Sequence, residues 1–204
     1  MIPSGSLARR RRGVALIEML VVVGLFAVLA MIAIGVSEAL RTGGRLRVGA
    51  RTMAQLLTHA RSESVALGQG HGLAFARDSR GWYWRRARDG NGNGLRKSEI
   101  ASGVDPVAGE PERLEQRVTG VRLGIPAGGP FPAPPPGTVR LSAADAPVRF
   151  GASDLVAFGP LGGGSSGTLF LTAGGRSLSA VVLYGPTARL RVWHYDPRED
   201  RWRR

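Results

Sequence analysis

The sequence predicts an α+β fold, in which one long N-terminal helix precedes a head built on antiparallel β-sheet. Two observations support this prediction. Helical periodicity, first apolar and then amphipathic, runs from Val14 to Leu67. After Gly68 the pattern changes to short β-type runs separated by Gly, Pro and Asp. A chain of 204 residues is long enough for such a helix and one domain with a core.

The apolar run at residues 14–36 follows four consecutive arginines, Arg9–Arg12. As a helix, the run would be about 35 Å long, which is enough to span a bilayer. A cleaved secretory signal and a plain N-terminal anchor both combine a basic region with an apolar run. Neither accounts for Glu18, because a carboxylate in hydrocarbon is costly unless it has a partner.

The residues around Glu18 resemble the type IV prepilin signature: a short basic leader ending in glycine, an apolar residue, and a glutamate four positions later. The matching segment is VALIEMLVVV, with Val14 where the family more often has Phe or Met. The resemblance implies that a membrane prepilin peptidase cuts between Gly13 and Val14 and methylates Val14. Glu18 would then be the fifth residue of the mature chain. There it would pair with the α-amino group of a neighbouring subunit and set the register of assembly.

This interpretation divides the chain into a prepilin leader (residues 1–13), a transmembrane half-helix (14–36), an amphipathic periplasmic half-helix (37–67) and a β-rich head (68–204). Gly43-Gly44 is a predicted weak point or bend, since glycine costs about 1 kcal/mol inside a helix. The amphipathic half has an apolar stripe at spacings of three and four residues, while Arg47, Arg51, Gln55, His59 and Arg61 lie off it. The stripe consists of Leu46, Met53, Leu56, Leu57, Ala60, Ser64 and Leu67.

The head contains a series of short runs with the composition of strands. Between two of them, the segment PAGGPFPAPPPG at residues 126–137 predicts a long, mobile loop without regular structure. The predicted strands are His71–Ala76, Gly81–Arg86, Val121–Ile125, Thr138–Leu141, Leu155–Phe158, Thr168–Thr172, Ser177–Tyr184 and Ala188–Tyr195.

Several stretches of the head resemble the H-type minor pseudopilins of type II secretion and the related FimT-type minor pilins. They are MAQLLTHARSESVALGQG, GLAFARDSRGWYWRRARDGNGNG, VAFGPLGGGSSGTLFLTAGG and VVLYGPTARLRVW. The departures are the proline-rich segment, the tail after Tyr195, and Ala188 where a glycine is usual. The resemblance implies a pilin-like fold with the helix packed on the sheet. It also implies a single pass through the inner membrane, a periplasmic head, and assembly with other major and minor pseudopilins.

The alternative that the resemblance leaves open is a FimT-type minor pilin that binds DNA during natural transformation. The matching arginines are Arg189 and Arg191, and strand alternation places them on one face with Trp193. Arginine interleaved with aromatic residues can hold phosphates and stack on bases. The net charge of +13 fits this role, but every basic residue except Lys97 is arginine, which indicates a compositional bias. Acidic residues in the tail also reduce its positive field. They are Asp196, Glu199 and Asp200.

Two motifs match patterns of functional sites. GGGSSG at residues 162–167 fits both a nucleophile elbow and a dinucleotide-binding turn, but each requires a helix next, and the strand-like TLFLT follows. We therefore predict a hairpin loop. In DGNGNGLRKSE, the first, third, fifth and sixth positions of a calcium loop are occupied by Asp89, Asn91, Asn93 and Gly94. Glu99 is eleventh and Ile100 twelfth, so the closing carboxylate is misplaced, and a turn-rich hairpin connection is favoured.

The remaining residue types point away from catalysis. Cysteine is absent, which excludes disulfides and thiolate sites. The histidines, His59, His71 and His194, share no metal-ligand spacing, and nothing pairs a base with a nucleophile. The sequence therefore predicts a structural subunit without enzymatic activity, metal or cofactor.

Overall fold

The structure is a computed structural model. It describes the backbone of residues 7–151 and 153–204, and the side chains of residues 17–31, 41–151 and 153–204. The chain forms two compact units, residues 1–41 and 42–204. The predicted cleavage and methylation residues, Gly13 and Val14, lie outside the described side chains.

The first element is helix α1, which extends from Leu7 to Leu67. It begins at Leu7 rather than at Val14, and it continues without interruption through Gly43 and Gly44. In the part of the chain whose side chains are described, no helix is both long enough and apolar enough to cross a membrane. The span predicted at residues 14–36 extends at both ends into residues outside that description.

The second half of α1 buries one face against the head, which confirms the amphipathic pattern. Ser64 belongs to this face, and its hydroxyl oxygen lies 2.8 Å from the carbonyl oxygens of Phe158 and Gln69. Leu67 was wrongly assigned to the stripe and is 65% exposed. The helix ends there, and Gly68 takes a φ of +62°, which only glycine adopts readily. The buried residues of this face are Leu46, Ala50, Met53, Leu57, Ala60 and Ser64.

The head is made of short strands with two further helices, α2 (Lys97–Ser102) and α3 (Leu114–Arg117), and a 3₁₀ turn at Gly185–Thr187. The strands are β1 (His71–Asp78), β2 (Gly81–Arg88), β3 (Val107–Glu112), β4 (Arg122–Leu123), β5 (Phe131–Pro132), β6 (Arg140–Leu141), β7 (Val148–Arg149), β8 (Leu155–Phe158), β9 (Gly167–Thr172), β10 (Leu178–Tyr184), β11 (Arg189–Asp196) and β12 (Arg201–Arg203).

These strands form two main sheets in which every pairing is antiparallel, as the predicted α+β class requires. The first sheet has the order β3-β2-β1-β8. The second has the order β12-β11-β10-β9-β4, with β7 also paired to β9. A separate ribbon consists of β5 and β6. Four of the strands, β3, β5, β7 and β12, were not predicted from the sequence.

The second sheet packs against a separate core on each face. Side chains alternate along β9, so Leu169 and Leu171 face a first core, whereas Phe170 faces a second. The first core lies between α1 and the two sheets. The second core lies on the opposite face of the second sheet, where Phe131 and Tyr195 meet edge to face with ring centroids 5.1 Å apart.

The segment 126–137 is irregular, as predicted, except for the two-residue strand β5, but it also packs into the second core, which the sequence did not indicate. Phe131 is fully buried, and β5 pairs with β6. The indole N–H of Trp202 donates to the carbonyl oxygen of Pro132 over 2.8 Å. The aromatic residue in the middle of this segment fixes it to the sheet, despite the prolines on either side.

Candidate functional site

The described side chains at residues 17–31 of α1 form an exposed apolar surface. Ile17 is 68% exposed and Met31 is 75% exposed, and most of the large apolar side chains between them are more than half exposed. Glu18 is the only charged residue in this stretch and is itself exposed. A continuous apolar surface of this kind marks contact with a membrane or with other proteins.

A buried carboxylate organises the connection between β2 and β3. Asp89 is only 3% exposed. Its Oδ1 accepts the N–H groups of Gly92 (2.7 Å) and Asn91 (3.1 Å), and its Oδ2 accepts that of Gly94 (2.7 Å). Burial by itself would raise the pKa of Asp89, but these backbone donors outweigh it and lower the pKa below its ordinary value. The glycine-rich turn is therefore closed by backbone donors to one carboxylate.

The other side chains of the calcium-like pattern bond to one another. Glu99 accepts hydrogen bonds from the amides of Asn91 (3.1 Å) and Asn93 (2.9 Å). Asp105 is fully buried and accepts the N–H groups of Gly90 and Arg96. In the described residues, no three His, Asp or Glu side chains come together as a metal site. Since β2 and β3 are antiparallel neighbours, the segment is a hairpin connection, as predicted.

The GGGSSG segment turns back on β8, as predicted for a hairpin loop, and forms an antiparallel bridge between Phe158 and Gly164. It then continues into β9 of the second sheet. Both serine hydroxyls accept backbone N–H groups, Ser165 from Ala157 (3.1 Å) and Ser166 from Gly185 (2.9 Å). A Cβ on Gly164 would lie 2.7 Å from the carbonyl oxygen of Ala157, so the crossing needs glycine. The segment serves as a close-packed crossing between sheets.

Two of the three histidines lie in one recess that the sequence did not indicate. His59 and His71 line a space of about 230 Å³ between α1 and the strands β1 and β2. Glu63 lies there too, with its carboxylate 3.3 Å from Nδ1 of His59 and 3.6 Å from a guanidinium nitrogen of Arg86. The ion pair between Glu63 and Arg86 joins the helix to the first sheet.

Arg189 and Arg191 lie on the face of the second sheet that also carries the second core, here called the outer face, and strand pairing adds a third arginine there. Arg191 of β11 and Arg149 of β7 lie at the two ends of one row of laterally paired residues, which crosses β10 and β9 between them. Arg189 pairs with Tyr184, which is 58% exposed. In the described part of the chain, no ion pair includes any of these three arginines. We call Arg149, Arg189, Arg191 and Tyr184 the outer-face cluster.

Ala188, which precedes this strand, has a φ of +47° in the left-handed region. A side chain there is strained by about 1 kcal/mol, and glycine is not. The backbone therefore favours glycine at this position. Trp193 lies further along the same strand face but is buried in the second core. It is therefore not available for stacking on bases, contrary to the sequence-based grouping with Arg189 and Arg191.

A second basic site, which the sequence did not predict, lies near the other end of β11. Arg47 and Arg51 of α1 line a recess of about 570 Å³ together with residues of the β11–β12 hairpin. We call it the C-terminal recess. His194 lies in its wall, and the Nδ1 of His194 is 2.7 Å from the hydroxyl oxygen of Ser179. The hairpin residues that line it are His194, Tyr195, Asp196, Pro197, Arg203 and Arg204.

One comparison with known proteins identifies the N-terminal segment. Residues 8–34 match the family model described as the prokaryotic N-terminal methylation motif. The chain therefore carries a prepilin-like motif, which is found in pilin-like precursors that prepilin peptidase processes and that serve as structural subunits. The match includes Gly13, Val14 and Glu18, and the head lies outside it. No curated protein and no solved structure shows significant similarity to the chain.

Proposed function

We propose that the chain is a minor pseudopilin of the H type, a structural subunit of the type II secretion pseudopilus or of its tip. Prepilin peptidase cleaves it between Gly13 and Val14 and methylates Val14. The mature chain passes once through the inner membrane, with its head in the periplasm. The observation that supports this most strongly is the methylation motif at residues 8–34, which coincides with an exposed apolar helix surface.

In this proposal Glu18 guides assembly. Cleavage creates an α-amino group, a cation at about the same depth as the carboxylate of a neighbouring subunit. A charge in an apolar environment is costly unless it is paired, so subunits gain most when these two groups meet. The machinery's ATPase supplies the work, and this subunit supplies contacts to other major and minor pseudopilins.

Processing can be tested with two glycine variants of the full chain. Gly13→Ala should retain the leader, whereas Gly24→Ala, in the same helix with open space around it, should be processed normally. The intact mass of membrane-extracted protein gives the result directly. An unchanged N-terminus in the wild-type chain, or a start beyond residue 30, would refute the proposal.

The role of Glu18 can be separated from processing. Glu18→Ala should leave cleavage and membrane insertion intact but reduce crosslinking to other pseudopilins and reduce secretion. Met19→Ala, an exposed neighbour, is the matched control. Equal loss of crosslinking in both variants would mean that the carboxylate has no special part in assembly.

The second candidate function is a FimT-type minor pilin that binds DNA. The observation in its favour is the outer-face cluster, whose arginines are not neutralised within the described chain. Arg201 and Arg203 of the tail, by contrast, pair with Glu199 and Asp196. On this alternative, the logarithm of the association constant for duplex DNA should fall with log[salt]. The slope should be about −0.9 for each phosphate that the protein contacts.

The test uses the full chain in uncharged detergent, titrated with duplex DNA at two salt concentrations. Arg189→Gln/Arg191→Gln should abolish salt-sensitive binding, while Arg201→Gln/Arg203→Gln should retain it. Binding that survives the first substitution would indicate only a generally basic surface. In the cell, a deletion that impairs transformation but leaves secretion normal would favour the pilin, and the opposite phenotype would favour the pseudopilin.

A further inference from the structure

The C-terminal recess holds more positive charge than its own carboxylates neutralise. Arg203 pairs with Asp196, with Nε and Oδ2 3.2 Å apart, and also with Glu199. Arg47 and Arg51 take part in no ion pair among the described residues. They are one turn apart on α1, where like charges repel. Two guanidinium groups therefore face the recess without a counter-charge.

The other groups around the recess do not supply that counter-charge. The guanidinium of Arg204 lies over the ring of Trp193, 4.9 Å from its centroid, which positions this cation without neutralising it. Burial, and then the charges of Arg47 and Arg51, lower the pKa of His194, so its ring is neutral near pH 7. Burial disfavours a charge of either sign, but the contribution of Arg47 and Arg51 reflects a positive field at His194, and such a field would stabilise an anion.

The size and donor set of the recess indicate which anion fits. Its volume is about 570 Å³ and it is lined from two directions, by α1 and by the β11–β12 hairpin. A carboxylate is satisfied by one guanidinium fork, whereas a phosphate group has more oxygens and up to two charges, and so uses several arginines. We propose that the C-terminal recess binds a phosphate group through Arg47, Arg51 and Arg204, with His194 in its wall. The phosphate belongs either to a soluble ester or to a phospholipid headgroup.

The proposal can be tested on the full chain in uncharged detergent, with ¹³C-labelled histidine. The chain has three histidines, and His194→Asn assigns the signal of the third. Inorganic phosphate should shift the His194 signal in a saturable way and raise the pKa of His194, because the bound anion offsets the arginines. His59, on the first-sheet side of α1, should be unaffected. The same response to chloride at equal ionic strength would overturn the proposal.

Matched variants separate a site from a general charge effect. Arg47→Gln/Arg51→Gln should weaken phosphate binding at least about tenfold, since it removes charge-assisted hydrogen bonds. Arg77→Gln/Arg80→Gln makes the same change in charge near the β1–β2 turn and should leave binding unchanged. Equal weakening in both would overturn the proposal. Arg47 and Arg51 lie in α1, Arg77 lies in β1, and Arg80 lies in the β1–β2 turn. The unfolding midpoint of each variant should show that it remains folded.

The two sources of phosphate are distinguished by competition. Mixed micelles containing phosphatidylglycerol are compared with micelles containing an uncharged glycolipid at the same mole fraction. If only phosphatidylglycerol displaces inorganic phosphate, the ligand is a phospholipid headgroup. If neither displaces it and phosphate still binds, the ligand is a soluble phosphate.

Discussion

Asp89 is the residue on which the β2–β3 connection depends most, because its carboxylate accepts three backbone N–H groups. In Asp89→Asn one acceptor oxygen becomes an NH₂ donor that faces those donors. We expect the free energy of unfolding to fall by about 2–3 kcal/mol, the cost of losing charge-assisted bonds in a buried place. Denaturant unfolding followed by tryptophan fluorescence measures it. The control is Glu110→Gln, an exposed change in β3, and an equal effect there would contradict the assignment.

His194 should make stability depend on pH. Ser179 of β10, Arg47 and Arg51 of α1, and Arg203 of β12 surround it. Its pKa is lowered in the folded chain, so the unfolded chain binds a proton first as the pH falls. Stability is therefore full above about pH 6.5 and decreases as the pH falls toward the folded pKa. His194→Asn should reduce the loss of unfolding free energy between about pH 7.5 and 5.5. An unchanged slope would contradict this.

At the scale of elements, α1 shows what periodicity can predict and what it cannot. The buried face of its second half follows from the spacing of Leu46, Met53 and Leu57 alone. The close approach at Gly49 does not, because a Cβ there would lie 2.8 Å from Cγ1 of Val121, a residue distant in sequence. The packing of the segment 126–137 was not predicted for the same reason. Its composition indicates a loop, but the partners of Phe131 lie in other elements.

Two glycines of α1 should therefore respond oppositely to alanine. Gly44 has open space around it, so Gly44→Ala should stabilise the helix by about 0.5–1 kcal/mol through helix propensity. Gly49→Ala should lose this gain or reverse it, because Val121 is buried and cannot move aside freely. Thermal unfolding measures both. In a double-mutant cycle, Val121→Ala should relieve the penalty at Gly49, and strict additivity would contradict the steric explanation.

The residues of the candidate sites also differ in whether local sequence is enough to predict their positions. Strand alternation was enough to place Arg189 and Arg191 on one face, whereas the roles of Gly13, Val14 and Glu18 stay predictions from the N-terminal signature. The C-terminal recess could not be predicted, because it joins α1 to the β11–β12 hairpin, which are far apart in the chain. Arg149 was also missed, since only the pairing of β7 with β9 brings it into the outer-face cluster.

For the head as a whole, the decisive feature is that both cores share the second sheet. Leu169 and Leu171 contribute to the first core and Phe170, between them, to the second. Neither core can lose its packing without exposing one face of the same strand. We therefore expect the head to unfold as one cooperative unit, although its two cores are separate clusters.

The cooperative unfolding of the head can be tested with its four native tryptophans as probes of the two cores. Trp82 and Trp84 belong to the first core, and Trp193 and Trp202 to the second. In protein labelled with 5-fluorotryptophan, all four ¹⁹F signals should lose native intensity at the same denaturant concentration. Phe131→Ala removes a buried ring from the second core and should destabilise the head by about 3–5 kcal/mol. It should move all four transitions together. If the signals of Trp193 and Trp202 were lost first while Trp84 stayed native, the two cores would be independent.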